Sequence, residues 1–177
     1  MTGPTRRRRD VFPYARGVPH TFRAPAEADE AVLLQLNNDH ALELSELTAE
    51  EFRELLKVAW RVRVTDDLTA MVIAFDQDTV RSSQNFDWFK ARHPRFAYID
   101  RVVVAPAARG RGLARALYED VIAAARAEGQ TLLCAEVNLD PPNPASDALH
   151  TSMGFAPVGS AELAGKGKSV RYYTRPL

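Results

Sequence analysis

The sequence predicts one α/β domain built on a central mixed sheet of about six or seven strands, with helices on both faces. Three observations carry this. Segments with apolar residues at helical spacing alternate with short apolar, β-branched runs. One such run, Val102, Val103 and Val104, suits a central strand covered on both sides. The chain has 177 residues, 46 % of them hydrophobic, which suits a single domain with a substantial core.

The elements follow in order. Residues 1–17 read as a flexible N-terminal tail and residues 18–177 as the domain. A short strand is expected over residues 18–22. Pro25, with the acidic Glu27, Asp29 and Glu30, opens a helix through Val32, Leu33 and Leu36, its first-turn charges matching the helix dipole. A second helix covers residues 48–58, where Thr48 and Glu51 fit a capping box. Strands at 59–64 and 70–75 are joined by Asp66 and Asp67 as turn residues. Residues 76–94 read as a long irregular loop, a type of segment that often closes over a site. A strand over 96–105 ends at Pro106. Leu113, Ala116, Leu117, Val121 and Ala124 recur as one helix face, closed by Gly129. A second central strand is expected over 131–137, then a proline-rich loop (Pro141, Pro142, Pro144). A short helix over 145–153 stops at Gly154, and strands near 155–158 and 169–174 finish the chain.

Bulk composition narrows the function classes. Lys and Arg number 23, Asp and Glu 23, so net charge does not favour a nucleic-acid partner. The arginines at positions 6–9 read as a solvated tail, with an anchor for nucleic acid or anionic lipid as the sharper alternative. No apolar stretch follows them, so neither a signal peptide nor a membrane anchor is expected. Cys134 is the only cysteine, which excludes an internal disulfide and fits a cytoplasmic location. It falls in a strand run and reads as a buried structural thiol rather than a nucleophile. His20, His40, His93 and His150 lack ligand spacing, so no metal is expected.

The chemistry concentrates where a strand runs through a glycine-rich loop into a helix. Val102, Val103 and Val104 lead through Arg109, Gly110, Arg111 and Gly112 to Leu113 and Ala114. The first turn of a helix presents unpaired amides and a partial positive charge. Glycines let the backbone curl around an anion, and arginines add charge-assisted contacts. Together they predict a pyrophosphate cradle. A P-loop needs Gly-Lys-Ser/Thr at the helix start, and the chain has Gly112, Leu113 and Ala114. A Rossmann fingerprint needs a small residue where Arg115 stands.

What fits is Arg-x-x-Gly-x-Ala, at Arg109, Gly112 and Ala114. This resembles the acetyl-CoA signature of the Gcn5-related N-acetyltransferase (GNAT) superfamily. A second segment of that superfamily has the form Asn-x-x-Ala-x-x-Phe-Tyr-x-x-x-Gly-Phe. Asn143, Leu149, Gly154 and Phe155 agree with it, while Ser146 replaces the alanine and His150 the tyrosine. The element order agrees as well, so the resemblance spans about residues 18–177. It implies a GNAT fold whose sheet splays between its fourth and fifth strands, 96–105 and 131–137. It also implies acetyl-CoA as acyl donor, bound there by the loop residues above with Asn143 and His150. The acetyl group would pass directly to a primary amine, of a small molecule or a peptide end, with no acyl-enzyme. Amides near Val103 and Val104 would stabilise the thioester oxyanion. A non-catalytic acyl-CoA-binding module is the alternative that the His150 departure keeps open. A homodimer through an edge strand is an expectation by analogy.

Transfer to an amine needs a base and an acid. A lysine-type amine near pKa 10.4 costs roughly 4.6 kcal/mol to neutralise at pH 7, an α-amine near 7.8 about 1 kcal/mol. Glu136 and Asp100 lie on the two splayed strands and are the base candidates, Glu136 first. A strand-end carboxylate paired with an arginine is the competing reading of Glu136. By alternation Asp100 shares a face with Tyr98 and points away from Arg101, so the two neighbours do not simply neutralise each other. His150 stands at the tyrosine position from which many relatives protonate the thiolate, and imidazole is suited to that role; mere packing on the pantetheine arm is the alternative. Tyr118 and Tyr172 are possible substitutes. For the acceptor, Asn37, Asn38 and His40 at the first helix end, Tyr98, and Asn85, Phe86 and Trp88 in the long loop are the candidates. The aromatics read equally as a local mini-core, and the asparagines as caps.

Overall fold

A computed structural model describes residues 20–177. The expected tail and residues 18 and 19 lie outside the described residues. Six strands form one sheet in the order β1-β2-β3-β4-β6-β5. They are β1 (Arg61–Val64), β2 (Ala70–Asp76), β3 (Ala97–Val104), β4 (Leu132–Asp140), β5 (Ala156–Leu163) and β6 (Lys168–Pro176). Only β3 and β4 pair in parallel; the other neighbours are antiparallel. Where an opening strand is expected, Arg23 alone bridges Val64, exchanging both backbone hydrogen bonds at 3.0 and 2.9 Å. Pro25, which lacks an N–H, follows two residues later.

Among the described residues five α-helices cover the sheet: α1 (Glu30–Asn38), α2 (Ala49–Val58), α3 (Gln84–Lys90), α4 (Leu113–Ala127) and α5 (Pro144–Ser152). The Thr48–Glu51 capping box of α2 is formed in both directions. Helix α3 corrects the reading of 76–94 as irregular. Ser83 caps it by accepting from the Phe86 amide at 3.3 Å, and Phe86 and Phe89, three apart, bury one face. Among the described residues no helix is long and apolar enough to cross a membrane.

The two faces of the sheet are built differently. Under α4 and α5 it presents small residues, Ala70, Ala74, Ala97 and Ala135, against Leu117, Val121 and Tyr118. Small side chains let α4 lie close to the strands. The other face, under α1, α2 and α3, is filled by Phe75, Phe86, Phe89, Phe96, Tyr98 and Tyr172. Cys134 lies in this aromatic layer, and burial pushes its thiol pKa up, so it is inert as a nucleophile.

Strands β3 and β4 pair only from Ala97↔Leu133 to Ile99↔Ala135. Beyond that each continues alone, β3 to Val104 and β4 to Asp140. A bulge marks the parting. The β2–β3 register passes from Ile73↔Arg101 to Ala74↔Ile99, leaving Asp100 as the extra residue. A bulge bends its strand and raises the local twist, which turns β3 away from β4 at this point.

Candidate active site

The parted strands open a cleft of about 520 Å³ that reaches from the β3–α4 turn to the segment between α1 and α2. At the turn, Gly110 and Gly112 have φ of +76° and +77°, and nothing lies within 4 Å of where a β-carbon would stand on either. Glycine is needed there for backbone direction, not for room. Gly112 is the N-cap of α4 and supplies no capping side chain. Leu113, Ala114 and Arg115 therefore turn a helix N-terminus, with its unpaired amides and partial positive charge, onto the cleft. Val102, Val103, Val104, Arg109, Asn143 and His150 line it too. Arg109 is held at the mouth, its Nη2 donating to His40 Nε2 at 3.1 Å and its Nε to the Val104 carbonyl at 3.4 Å. Arg111 does not line the cleft; its carbonyl accepts from His20 at 2.9 Å.

The Ala105 amide donates to Thr69 at 2.8 Å, on the β2 side. By alternation Val103 also turns its amide toward β2, where it faces Met71 in the ladder. The amides directed at the gap are then those of Val102 and Val104, so of the expected pair only Val104 qualifies.

Glu136 is central to the other half of the cleft. Tyr98 Oη donates to its Oε2 at 2.7 Å and Asn85 Nδ2 to its Oε1 at 3.0 Å. Asn85 is fixed in turn by the Tyr172 hydroxyl, which donates to its Oδ1 at 3.0 Å. Removal from water pushes the Glu136 carboxyl up to about 7; the Tyr98 hydrogen bond opposes this, the Asp100 charge adds to it, and the Asn85 hydrogen bond again opposes it. Among the described residues no arginine pairs with it, so the strand-end ion pair is not formed there. Burial, with the Glu136 charge, keeps the Tyr98 phenol protonated. Tyr98 and Asn85 thus act on Glu136 and do not line the cleft themselves.

Asp100 differs from expectation. The bulge breaks the alternation, and Arg101 Nε donates to Asp100 Oδ2 at 3.0 Å, with side chains only 6 % and 9 % exposed. The neighbours do neutralise each other. Arg101 also donates to Asn37 Oδ1 at 2.7 Å and to Ser45. Asn37 is consequently a buried strut, its amide donating to Asn38 Oδ1 and the Ser45 carbonyl. Asn38 exchanges hydrogen bonds with the Leu47 backbone. Both asparagines brace the α1–α2 segment, and His40 alone of that trio lines the cleft. Phe86 is fully buried between Phe75, Phe96 and Tyr98, and Trp88 stacks on Tyr172 at 4.3 Å outside the cleft. Phe86 is core and Trp88 packs against that core, so neither lies over the cleft as a lid.

His150 is 2 % exposed and has both ring nitrogens engaged. Nδ1 lies 2.8 Å from the Ser146 carbonyl and Nε2 2.8 Å from the Tyr118 hydroxyl. Burial lowers its pKa, against the Ser146 contact and the Asp147 charge. Sequence reasoning gave Tyr118 only a substitute's place; its signal was the spacing of one helical turn after Ala114. Glu43, Leu44 and Asn138 also line the cleft. Asn138 Nδ2 donates to the Glu43 carbonyl at 3.0 Å, so β4 holds the α1–α2 segment over the opening. No motif announced these.

A sheet parted beside a glycine-turned helix N-terminus defines the class of acyl-CoA-type transferases expected from the two motifs. The acetyltransferase (GNAT) family profile matches residues 27–155, and the chain belongs to that family. Among curated proteins none matches. Solved structures are similar over most of their length. A ribosomal-protein-alanine N-acetyltransferase from Brucella melitensis shares 25 % identity, with TM-score 0.68, over 89 % of this chain and 99 % of that one. The putative acetyltransferase yncA from Salmonella typhimurium, solved with acetyl-CoA, shares 22 % identity, with TM-score 0.65, over 89 % and 94 %. The NatC complex bound to Gag peptide and CoA aligns with TM-score 0.68 at 16 % identity, over 90 % and 99 %.

Proposed function

We propose that this acetyltransferase moves an acetyl group from acetyl-CoA directly to the primary amine of a small molecule or peptide end, with Glu136 as general base. The carrying observation is a carboxyl in the cleft whose pKa is pushed up to about 7 and which, among the described residues, accepts side-chain hydrogen bonds only from the neutral donors Tyr98 and Asn85. A base poised there is ionised about half the time at neutral pH and strong enough to take an amine proton.

The donor side fits a coenzyme A diphosphate: both glycines hold the turn open, and α4 begins without a capping side chain. When bound, acetyl-CoA supplies an acetyl group activated as a thioester. The Gly110–Ala114 turn and Arg109 would hold its diphosphate, and the Val102 and Val104 amides would face the carbonyl. On the acceptor side, Glu43 lines the cleft with Glu136, which favours a cationic amine. Neutralising a lysine-type amine demands more of the site than neutralising an α-amine.

Free thiol release from acetyl-CoA, measured over polyamines, amino acids and short peptides, tests this. Release above the hydrolytic background with at least one amine class is expected. Saturable acetyl-CoA binding without release for any of them would instead establish a non-catalytic module.

A further inference from the structure

We propose that the Tyr118 hydroxyl, aimed by His150, is the group that meets the departing sulfur, and that His150 is its positioning residue rather than the acid. This rests on the acetyl-transfer reading above and deepens it.

The contacts assign the protons. The Ser146 carbonyl, 2.8 Å from His150 Nδ1, can only accept, so Nδ1 carries the hydrogen. In the neutral ring Nε2 is then a lone pair, and Tyr118 donates its hydroxyl hydrogen to it at 2.8 Å. His150 has no proton left to offer the cleft, while Tyr118 has one held on a rotatable bond. The other groups around the ring preserve this state. Tyr173 stacks on it at 5.4 Å and spends its hydroxyl on Asp147 at 2.8 Å, and Arg171 shares the Asp147 charge at 3.6 Å. Tyr118 is 3 % exposed, with its ring edge-on to His150 and Phe155, so the phenol is fixed, and the residue lines the cleft.

In the transfer, the amine nitrogen bonds to the acetyl carbon as the carbon–sulfur bond breaks. One amine proton passes to Glu136, and the bonding pair leaves with sulfur. The Tyr118 O–H swings from His150 Nε2 to that sulfur as a charge-assisted donor. Glu136 then returns its proton to solvent and the thiolate takes one up, so protons and charge balance over a turnover.

The test uses the full chain and compares coenzyme A with desulfo-coenzyme A by calorimetry at pH 8.5. The unmodified protein is expected to prefer coenzyme A by about tenfold, the effect of one hydrogen bond to a charged group. Tyr118→Phe should lose that preference while binding desulfo-coenzyme A as before, and its kcat should fall with KM for acetyl-CoA nearly kept. His150→Gln, whose amide oxygen can accept the phenol hydrogen, should retain most of the preference; His150→Phe should lose it. A preference that survives Tyr118→Phe, or is absent from the unmodified protein, overturns the inference and leaves acetyl transfer standing. Failure to bind either ligand removes the donor reading and this inference with it. Long-range nitrogen NMR needs no variant: the free protein should show the Nδ1–H tautomer at His150, and an Nε2–H tautomer refutes the proposal outright.

Discussion

Replacing Glu136 by Gln should remove activity and raise stability together, and the size of each follows from the site. The carboxyl is held at about 7 against an ordinary 4.5. If it is the base, the ionised fraction rises from about a tenth at pH 6 to about nine tenths at pH 8, and the rate rises with it. Glu136→Gln should flatten that acidic limb and cut kcat by roughly 10²- to 10⁴-fold, toward the lower end for an α-amine acceptor. For stability the sign is the reverse. The folded pKa lies above the unfolded one, so the folded state binds more protons between about pH 4.5 and 7. The protonated carboxyl's advantage is fully present below that window and is lost as pH rises through it. At pH 8 the folded protein thus carries a cost of about 3 kcal/mol that an uncharged Gln escapes.

One mismatch subtracts from this gain. Tyr98 and Asn85 both donate to Glu136, and Gln offers one oxygen where the carboxylate offers two. That contact is worth about 1 kcal/mol, which leaves Glu136→Gln more stable by about 2 kcal/mol at pH 8 and less stable by about 1 kcal/mol near pH 4. For a chain of this length the pH 8 gain corresponds to about 4–8 °C in Tm. Thermal unfolding followed by circular dichroism at the two pH values measures the crossing, and the pH–rate profile measures the limb. A variant equally destabilised at both pH values would show that the carboxylate is not held at a cost, and an unmoved acidic limb would assign the base elsewhere.

Three other substitutions separate scaffold from site. Gly112→Ala meets open space but must hold φ near +77°, so it should cost about 1 kcal/mol and weaken coenzyme A binding several-fold in calorimetry; unchanged binding would take the turn out of the cradle. Phe86→Ala should lose about 3–5 kcal/mol in denaturant unfolding, as for a buried core aromatic, and a loss below 1 kcal/mol would return Phe86 to the candidate lid. Asn37→Ala should destabilise by about 2 kcal/mol by removing an acceptor from the buried Arg101 guanidinium and a donor from the Ser45 carbonyl, with KM for the acceptor unmoved; a raised KM without loss of stability would make it a substrate contact.

Much of the fold was legible because its signals are local. The Thr48 capping box, the valine run of β3, the apolar face of α4 and the stop at Gly154 each lie within a few residues of the structure they specify. The cradle was legible for the same reason, since turn, glycines and helix start are contiguous. Helix α3 was missed although Ser83 and the Phe86–Phe89 spacing announce it, because its seven residues are too few for periodicity to stand out from a loop. The acceptor half of the cleft was least legible. Glu136, Tyr98 and Asn85 meet across separations of 38 and 51 residues, and no spacing rule connects them.

The most consequential unread feature is a single residue. Strict alternation along β3 sends Asp100 and Arg101 to opposite faces. The extra residue at the bulge cancels that and turns the guanidinium onto Asp100, Asn37 and Ser45. The same bulge ends the pairing with β4 and opens the cleft. An unbulged β3 would keep its ladder to β4 closed and leave Arg101 free to seek another carboxylate. A guanidinium at Glu136 would hold that carboxyl below the ordinary range, as an opposite charge at contact distance does, and too weak a base for an amine. One inserted position therefore does three things at once: it makes the gap, it satisfies the arginine elsewhere, and it leaves Glu136 among neutral donors where its pKa can rise.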